Sequence, residues 1–166
     1  MTRESMLDTS LNGRVALITG GSKGLGLAMA KAYVSHGAKV ALLARGADDL
    51  HEAEAQIRAM ALAGEYAASA AVASFVCDVT DPAAIQTTHA QVVETLGSVD
   101  ILVNNAGQSA AKPFLKITDD EWQADLDLKL MAAVRLTRLV WPAMAEQKWG
   151  RVFNLLNVYA KLPDAG

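Results

Sequence analysis

Short apolar runs alternate with longer helical stretches along most of this chain. Five runs have the length of strands, and they lack the apolar–polar alternation of a strand with one solvated face, which predicts burial on both faces. The predicted strands are Arg14–Thr19, Lys39–Ala44, Ser74–Cys77, Asp100–Val103 and Arg151–Leu156. The predicted helices between them are Leu25–His36, Ala47–Leu62, Pro82–Leu96 and Asp119–Gln147.

Regular β-α-β alternation predicts an α/β fold with a Rossmann-type, doubly wound parallel sheet. Crossovers between parallel strands are right-handed, and in this arrangement the strand order is 3-2-1-4-5. Residues 1–12 are polar and mixed in charge, and we expect them to form an N-terminal tail. Residues 13–166 then form one domain, with no internal boundary or repeat.

The longest predicted helix has a clear start and one interruption. Thr118 and Glu121 have the spacing of a capping box, in which each side chain bonds to the backbone of the other residue. Pro142 lacks the N–H that a helix interior uses, so we expect a kink or a break near Leu139. Apolar residues on more than one face of this helix predict burial beyond a single sheet contact.

A glycine-rich segment follows the first strand and opens the first helix. Gly20 allows the strand to turn sharply, Gly24 allows the backbone to approach a phosphate, and Gly26 allows the helix to pack closely on the strand. The helix then directs its positive end at the same place, which predicts a site for a dinucleotide pyrophosphate. The candidate cofactor-binding residues of this segment are Thr19, Gly20, Ser22, Lys23, Gly24, Leu25 and Gly26.

Further motifs, in the same order along the chain, resemble those of the short-chain dehydrogenase/reductase family. The similarity extends from Gly13 to Asp164, and the motifs are Thr19–Gly26, Asp78-Val79, Asn104-Asn105-Ala106-Gly107 and Pro113-Phe114. The resemblance implies that Asp78 accepts a hydrogen bond from the adenine amino group and that Val79 packs beside the ring. It also places Asn105, Ala106 and Gly107 at the cofactor, with the last two along the nicotinamide ribose, whereas Asn104 ties two neighbouring strands.

The end of the second strand bears on the choice between NADP(H) and NAD(H). An acidic residue at this position bonds the ribose 2′-hydroxyl of NAD(H), but here Ala44 is followed by Arg45. Arg45 can pair with a 2′-phosphate, and Lys23 adds a second positive charge nearby. We therefore expect NADP(H) in preference to NAD(H), the alternative being that both are solvated surface charges.

The catalytic groups that the resemblance implies are largely missing. The family uses a serine, a Tyr-x-x-x-Lys pair and a helix asparagine, and here Asn157 falls at the serine position and Lys129 at the asparagine position. Tyr159 and Lys161 are spaced too closely and follow the fifth strand too soon, so the pair is expected beyond the chain, together with the family's last strands. The domain is thus expected to be incomplete at its C-terminus, or else the chain is an atypical member that has lost this machinery, which the changes at Lys129 and Asn157 favour. Lys129 could supply a charge near the site, or it could instead form a salt bridge with Asp125 or Asp127.

Composition narrows the classes of partner. The net charge is −3, and the basic residues are scattered, which argues against a nucleic-acid or anionic membrane surface. A single cysteine, Cys77, excludes an internal disulfide and fits a reducing cytoplasm, where it would be a small buried side chain. No apolar run reaches the length of a membrane span, and no metal site is expected.

Two functions remain open. The first is an NADP(H)-dependent oxidoreductase that transfers hydride between the nicotinamide and a small carbonyl or alcohol substrate, although this chain alone is expected to be inactive. The second is a dinucleotide-binding or interaction module without turnover. Since members of the family commonly pair through the long helix, the resemblance also implies a homodimer or a homotetramer.

Overall fold

The structure is a computed structural model that describes residues 10–62, 71–108 and 112–156. Its sheet is parallel, and the strand order β3-β2-β1-β4-β5 confirms the predicted fold class. The strands are β1 (Val15–Thr19), β2 (Lys39–Ala44), β3 (Ala71–Val76), β4 (Ile101–Asn104) and β5 (Arg151–Asn154). The helices are α1 (Gly24–Ser35), α2 (Ala47–Leu62), α3 (Pro82–Leu96), α4 (Asp119–Leu126) and α5 (Ala132–Glu146).

Helices cover both faces of the sheet at β1, β2 and β4, which are buried as predicted. The predicted burial on both faces is wrong for the edge strands, since β3 is only partly buried and β5 is largely exposed, with Phe153 46% exposed. Successive side chains of a strand point to opposite faces, so β1 contributes Leu17 to one core and Ile18 to the other. The core that contains Leu17 is completed by α3 and α5, and the core that contains Ile18 is completed by α1 and α2. Cys77 is buried in the first of these cores, as predicted, and burial raises the pKa of its thiol.

The third strand begins earlier than the sequence pattern indicates. It spans Ala71–Val76, whereas the predicted strand began at Ser74 and included Cys77. Ala71 and Ala73 pair in register with Lys39 and Ala41 of β2. Alanine has little intrinsic preference for strands, so pairing with a neighbouring strand decides the conformation here. The predicted bounds of β2, α2 and α3 are confirmed residue for residue, and those of β1, α1, β4 and β5 differ by one or two residues at one or both ends.

The long predicted helix is two helices joined by a π-helical turn. The capping box of Thr118 and Glu121 is confirmed at the start of α4. A π-helical turn over Asp127–Met131 then separates α4 from α5. The expected break near Leu139 is wrong, since α5 runs continuously through Pro142. Proline removes one helical hydrogen bond, and solvent can bond the freed carbonyl because this side of the helix is exposed.

Asp100 ties three strands together at the amino end of the sheet. Its side chain is nearly fully buried, and it accepts hydrogen bonds from the Val15 backbone N–H (2.9 Å), Arg14 Nη1 (2.9 Å) and Gln147 Nε2 (3.0 Å). Its own backbone N–H donates to the Val15 carbonyl, and its carbonyl accepts from the Arg151 N–H. The beginnings of β1, β4 and β5 are therefore fixed relative to one another, which keeps their carboxyl ends aligned.

Asp100→Ala should lower the free energy of unfolding by about 2–4 kcal/mol, because a buried carboxylate with three donors is lost and those donors stay behind. Equilibrium urea denaturation measures this loss. Glu94→Ala is the matched control, since Glu94 is an exposed helix residue, and it should change stability by less than about 0.5 kcal/mol. Equal stabilities of the two variants would contradict the role given to Asp100.

Candidate functional site

A cleft of about 910 Å³ opens at the carboxyl ends of the strands. It lies beside β1 and β4, where the direction of strand order reverses, and open α/β sheets bind their ligands at such a point. The residues that line it come from the ends of β1, β4 and β5, from the π-helical turn and from α5. They include Thr19, Asn104, Asn105, Ala106, Gly107, Gln108, Leu128, Lys129, Leu130, Ala133, Thr137, Arg138, Asn154 and Leu156.

Three of the four glycines of the first loop, Gly20, Gly24 and Gly26, have geometry consistent with the roles expected from the sequence. Gly20 has φ +63° and Gly24 has φ +53°, which are conformations that L side chains rarely adopt. A Cβ on Gly26 would overlap the Gly20 carbonyl oxygen, so α1 can approach the loop only with glycine there. A Cβ on Gly24 would meet no described atom within 4 Å, which leaves open space above the backbone for a ligand.

No side chain in the described part of the chain caps the N-terminus of α1. Lys23 occupies the N-cap position and offers no acceptor, and the first turn of the helix contains no acidic residue. The first N–H groups of a helix lack intrahelical acceptors, and the helix dipole concentrates positive charge there. The uncapped N–H groups of α1 and the open space at Gly24 therefore lie together, and an anion could bind there. Ser22 is half-buried and Leu25 is exposed on the same loop.

Asn105 braces the glycine loop against the end of β4. Its Nδ2 donates to the carbonyl oxygens of Thr19 (3.0 Å) and Gly20 (3.1 Å). The Thr19 hydroxyl accepts from the backbone N–H groups of Asn105 and Ala106, both at 2.9 Å. The side chain of Asn105, a predicted cofactor contact, is therefore engaged in holding the loop, while Ala106 and the exposed Gly107 remain along the cleft.

Asn104 ties β4 to β5, as predicted. Its Nδ2 donates to Asn154 Oδ1 at 2.8 Å. Its own Oδ1 is buried and has no hydrogen-bond donor in the described part of the chain. A buried acceptor without a donor is rare in folded proteins, and this one lies at the wall of the cleft. A ligand that carries a hydroxyl or an amide group could donate to it.

The predicted adenine-contact residues lie in the turn before α3. Asp78 Oδ1 accepts from the Thr80 backbone N–H (2.9 Å) and the Thr80 hydroxyl (2.8 Å), and these bonds lower the pKa of Asp78. Asp78 Oδ2 has no donor among the described residues, so it is free to accept one from a ligand. Val79 is 6% exposed and packs in the core, which leaves its backbone as the part that a ligand can reach.

The two predicted phosphate-binding cations differ in their surroundings. Arg45 is exposed, and no hydrogen bond or ion pair of its side chain occurs within the described ranges. Its positive charge adds to the lowering of the Asp78 pKa by the two Thr80 hydrogen bonds. Lys23 is also exposed, but its Nζ lies 2.8 Å from Asp49 Oδ2 at the start of α2. The hydrogen bond and the charge of Asp49 raise the pKa of Lys23.

Lys129 lines the cleft and forms the salt bridge that the sequence analysis gave as the alternative role. Its Nζ lies 2.7 Å from Asp125 Oδ1, one helical turn earlier. Asp127 pairs instead with Arg135 at 3.4 Å. Asn157, the residue at the predicted serine position, lies outside the described residues, as do Tyr159 and Lys161.

Sequence reasoning missed two charged residues near this site. Asp49 binds Lys23 across the loop, and Arg135 Nη1 donates to the Thr80 carbonyl at 3.1 Å, which links α5 to the turn that carries Asp78. Both contacts join residues on different elements, so no local spacing signals them. The acidic first turn of α2 was the one visible feature, and it is also what a helix dipole favours.

The described residues hold neither a membrane-spanning helix nor a cluster of metal-binding side chains. None of their helices has the length and apolar character that crossing a bilayer requires. Among the same residues, no group of three or more potential metal-binding side chains occurs.

Comparison with known proteins gives concordant matches. A family model described as short chain dehydrogenase matches residues 14–166. The 3-oxoacyl-[acyl-carrier-protein] reductase FabG of Salmonella typhimurium is 32% identical over 157 residues, which cover 95% of this chain and 60% of that protein.

Two solved structures have the same fold. L-sorbose reductase from Gluconobacter frateurii, complexed with NADPH and L-sorbose, matches with a TM-score of 0.86 and 33% identity over 96% of this chain and 58% of its own. An NAD⁺-bound xylitol dehydrogenase matches with a TM-score of 0.81 and 30% identity over 92% of this chain and 56% of its own. This chain therefore spans 56–60% of the length of these relatives.

Asn105→Ala should lower the free energy of unfolding by about 1–3 kcal/mol, because two carbonyl oxygens of the glycine loop lose their donor. Urea denaturation monitored by tryptophan fluorescence measures the change. Gln108→Ala is the matched control on the same segment, since Gln108 is exposed, and it should stay within about 0.5 kcal/mol of the parent chain. A stability of Asn105→Ala equal to that of the control would show that the brace is unimportant.

Proposed function

This chain belongs to the short-chain dehydrogenase family, and we propose that it is an NADP(H)-dependent oxidoreductase. The reaction moves hydride between the nicotinamide and a carbonyl or alcohol carbon of a small substrate. Family members are oxidoreductases, and the relatives described above are reductases and a dehydrogenase. Because the chain spans only part of their length, its own turnover and substrate belong to the proposal.

One observation carries the cofactor assignment: the N-terminus of α1, which no described side chain caps, lies beside the open space at Gly24. The cofactor fits these residues, since a pyrophosphate would satisfy the free N–H groups and the helix dipole. Asp78 Oδ2 would accept from the adenine amino group, and Ala106 and Gly107 would lie along the nicotinamide ribose. When bound, the nicotinamide supplies or accepts the hydride, and the protein orients it against the substrate.

The preference for NADP(H) rests on charge at the ribose end. Ala44 and Arg45 follow one another where a carboxylate would select NAD(H), and the guanidinium of Arg45 is unpaired in the described part of the chain. The relatives include both cofactor types, since one structure holds NADPH and another holds NAD⁺. The preference therefore depends on residues of this chain and not on family membership.

The alternative, a nucleotide-binding module without turnover, also has support. Lys129 stands at the position of the family's helix asparagine and is paired with Asp125. If the reaction occurs, Lys129 and Arg138 are cations of the cleft lining that could act on its polarity. The proposal further includes a homodimer or homotetramer formed through α4 and α5, where Trp122, Leu126 and Trp141 are exposed. It also includes a cytoplasmic location.

Arg45→Asp should weaken NADPH binding about 10- to 100-fold and leave NADH binding within about threefold, because a charge-assisted phosphate contact is replaced by repulsion. Calorimetric titration of the variant with each nucleotide measures both constants. Gly24→Val is a second variant that should abolish binding of both, since it strains the φ +53° backbone and fills the phosphate space. Equal effects of Arg45→Asp on the two nucleotides would remove Arg45 from phosphate recognition.

Oxidation of NADPH in the presence of a panel of ketones tests the reaction. Ketone-dependent loss of NADPH absorbance by the parent chain, absent from Gly24→Val, would support the oxidoreductase and exclude the binding module. Tight NADPH binding without turnover on any ketone, by a chain whose intact mass agrees with its sequence, would assign this chain by itself to the binding module.

A further inference from the structure

The ammonium group of Lys23 is already held by a carboxylate of the chain. Lys23 Nζ lies 2.8 Å from Asp49 Oδ2, across the gap between the glycine loop and the first turn of α2. The side chains are 72% and 43% exposed, so both are open to solvent and to a ligand. The Asp49 hydrogen bond is the larger cause, and its charge the next, of the raised pKa of Lys23. At neutral pH, Lys23 is thus positively charged and already forms an ion pair with Asp49.

The Asp49 carboxylate also lies close to the loop that carries Arg45. A Cβ added to Gly46 would come within 3.2 Å of Asp49 Oδ2, which places this oxygen directly above the residue after Arg45. Asp49 therefore stands between Lys23 and the Arg45 loop, the two places where the proposed function puts positive charge for a 2′-phosphate. The more distant charge of Glu52 also raises the pKa of Lys23, but within the described ranges Lys23 forms an ion pair only with Asp49.

We propose that Asp49 is a specificity-determining residue, which lowers the preference for NADP(H) over NAD(H) by competing with the 2′-phosphate for Lys23. This inference rests on the proposed function and deepens it. A 2′-phosphate has to share or displace the Asp49 carboxylate at Lys23, and it also meets the negative charge of that carboxylate. The 2′-hydroxyl of NAD(H) carries no charge and meets neither penalty. Asp49 thus makes the preference for NADP(H) over NAD(H) smaller than Lys23 and Arg45 alone would produce.

Physical chemistry separates this competition from the opposite role, in which Asp49 would position Lys23 for the phosphate. An ammonium has three donors, so Lys23 could contact a carboxylate and a phosphate together. The two anions would still repel each other at close range in a surface site, where screening is incomplete. Competition therefore predicts tighter NADPH binding without Asp49, whereas positioning predicts weaker binding.

Asp49→Asn, with Asp48→Asn as the matched control, tests the proposal in the full chain. Asp48 lies in the same first turn of α2 and carries the same charge, but it is exposed and has no ion pair within the described ranges. Both variants change the net charge and the helix-end electrostatics equally. Titration calorimetry with NADPH and with NADH, in low and in high salt, gives the four dissociation constants of each variant.

In low salt, Asp49→Asn should bind NADPH about three- to tenfold more tightly, consistent with the loss of one exposed ion pair and one repulsion. NADH affinity should change less than about twofold, and Asp48→Asn should change either affinity less than about twofold. The gain should shrink in high salt. In a Lys23→Ala background, Asp49→Asn should lose most of its effect, because the shared partner is gone.

Weaker or unchanged NADPH binding by Asp49→Asn would overturn the proposal, and so would an equal response of Asp48→Asn. If the parent chain binds both nucleotides but Asp49→Asn leaves the ratio of the two dissociation constants unchanged, the proposed role of Asp49 fails and the proposed function does not. If the parent chain binds neither, the proposed function fails as well. Urea denaturation of each variant shows whether a lost affinity reflects unfolding.

Discussion

The hydroxyl of Thr19 is the contact on which the candidate site depends. It is buried at the carboxyl end of β1, accepts the backbone N–H groups of Asn105 and Ala106, and donates to the Val103 carbonyl at 3.3 Å. β1 and β4 are paired in the sheet but lie far apart in sequence, and the Thr19 hydroxyl joins their ends together with the Asn105 side chain. Since the glycine loop and the segment along the cleft both begin there, their separation is set by a few hydrogen bonds.

A binding surface and a stable helix make opposite demands at the start of α1. A serine or an aspartate at the N-cap would stabilise the helix by about 1 kcal/mol, but it would occupy the N–H groups that an anion needs. Lys23 stands there instead. The compensation comes from elsewhere: α1 buries Ala30 and Val34 against the sheet, and Asn105 holds the loop from the other side. These tertiary contacts thus stabilise α1 without a side-chain cap at its N-terminus.

The sequence predicted the parts of the molecule that depend on local pattern. Strand order, the glycine loop and the Thr118 capping box follow from periodicity and from the few residues that allow special backbone geometry. The start of β3 was missed because alanine pairs with β2 without a strand signal of its own. The Lys23–Asp49 pair and the Asn105 brace were missed because they join residues from separate elements, and spacing along the chain carries no record of such contacts.

The π-helical turn between α4 and α5 changes which residues of the two helices share a face. The backbone N–H of Ala132 bonds to the Asp127 carbonyl, five residues back, where an α-helix would reach four. One additional residue rotates everything after it by about 100° relative to an uninterrupted α-helix, since each residue accounts for that angle. Residues of α4 and α5 that uninterrupted α-helical spacing would place on one face therefore lie on different faces of this segment.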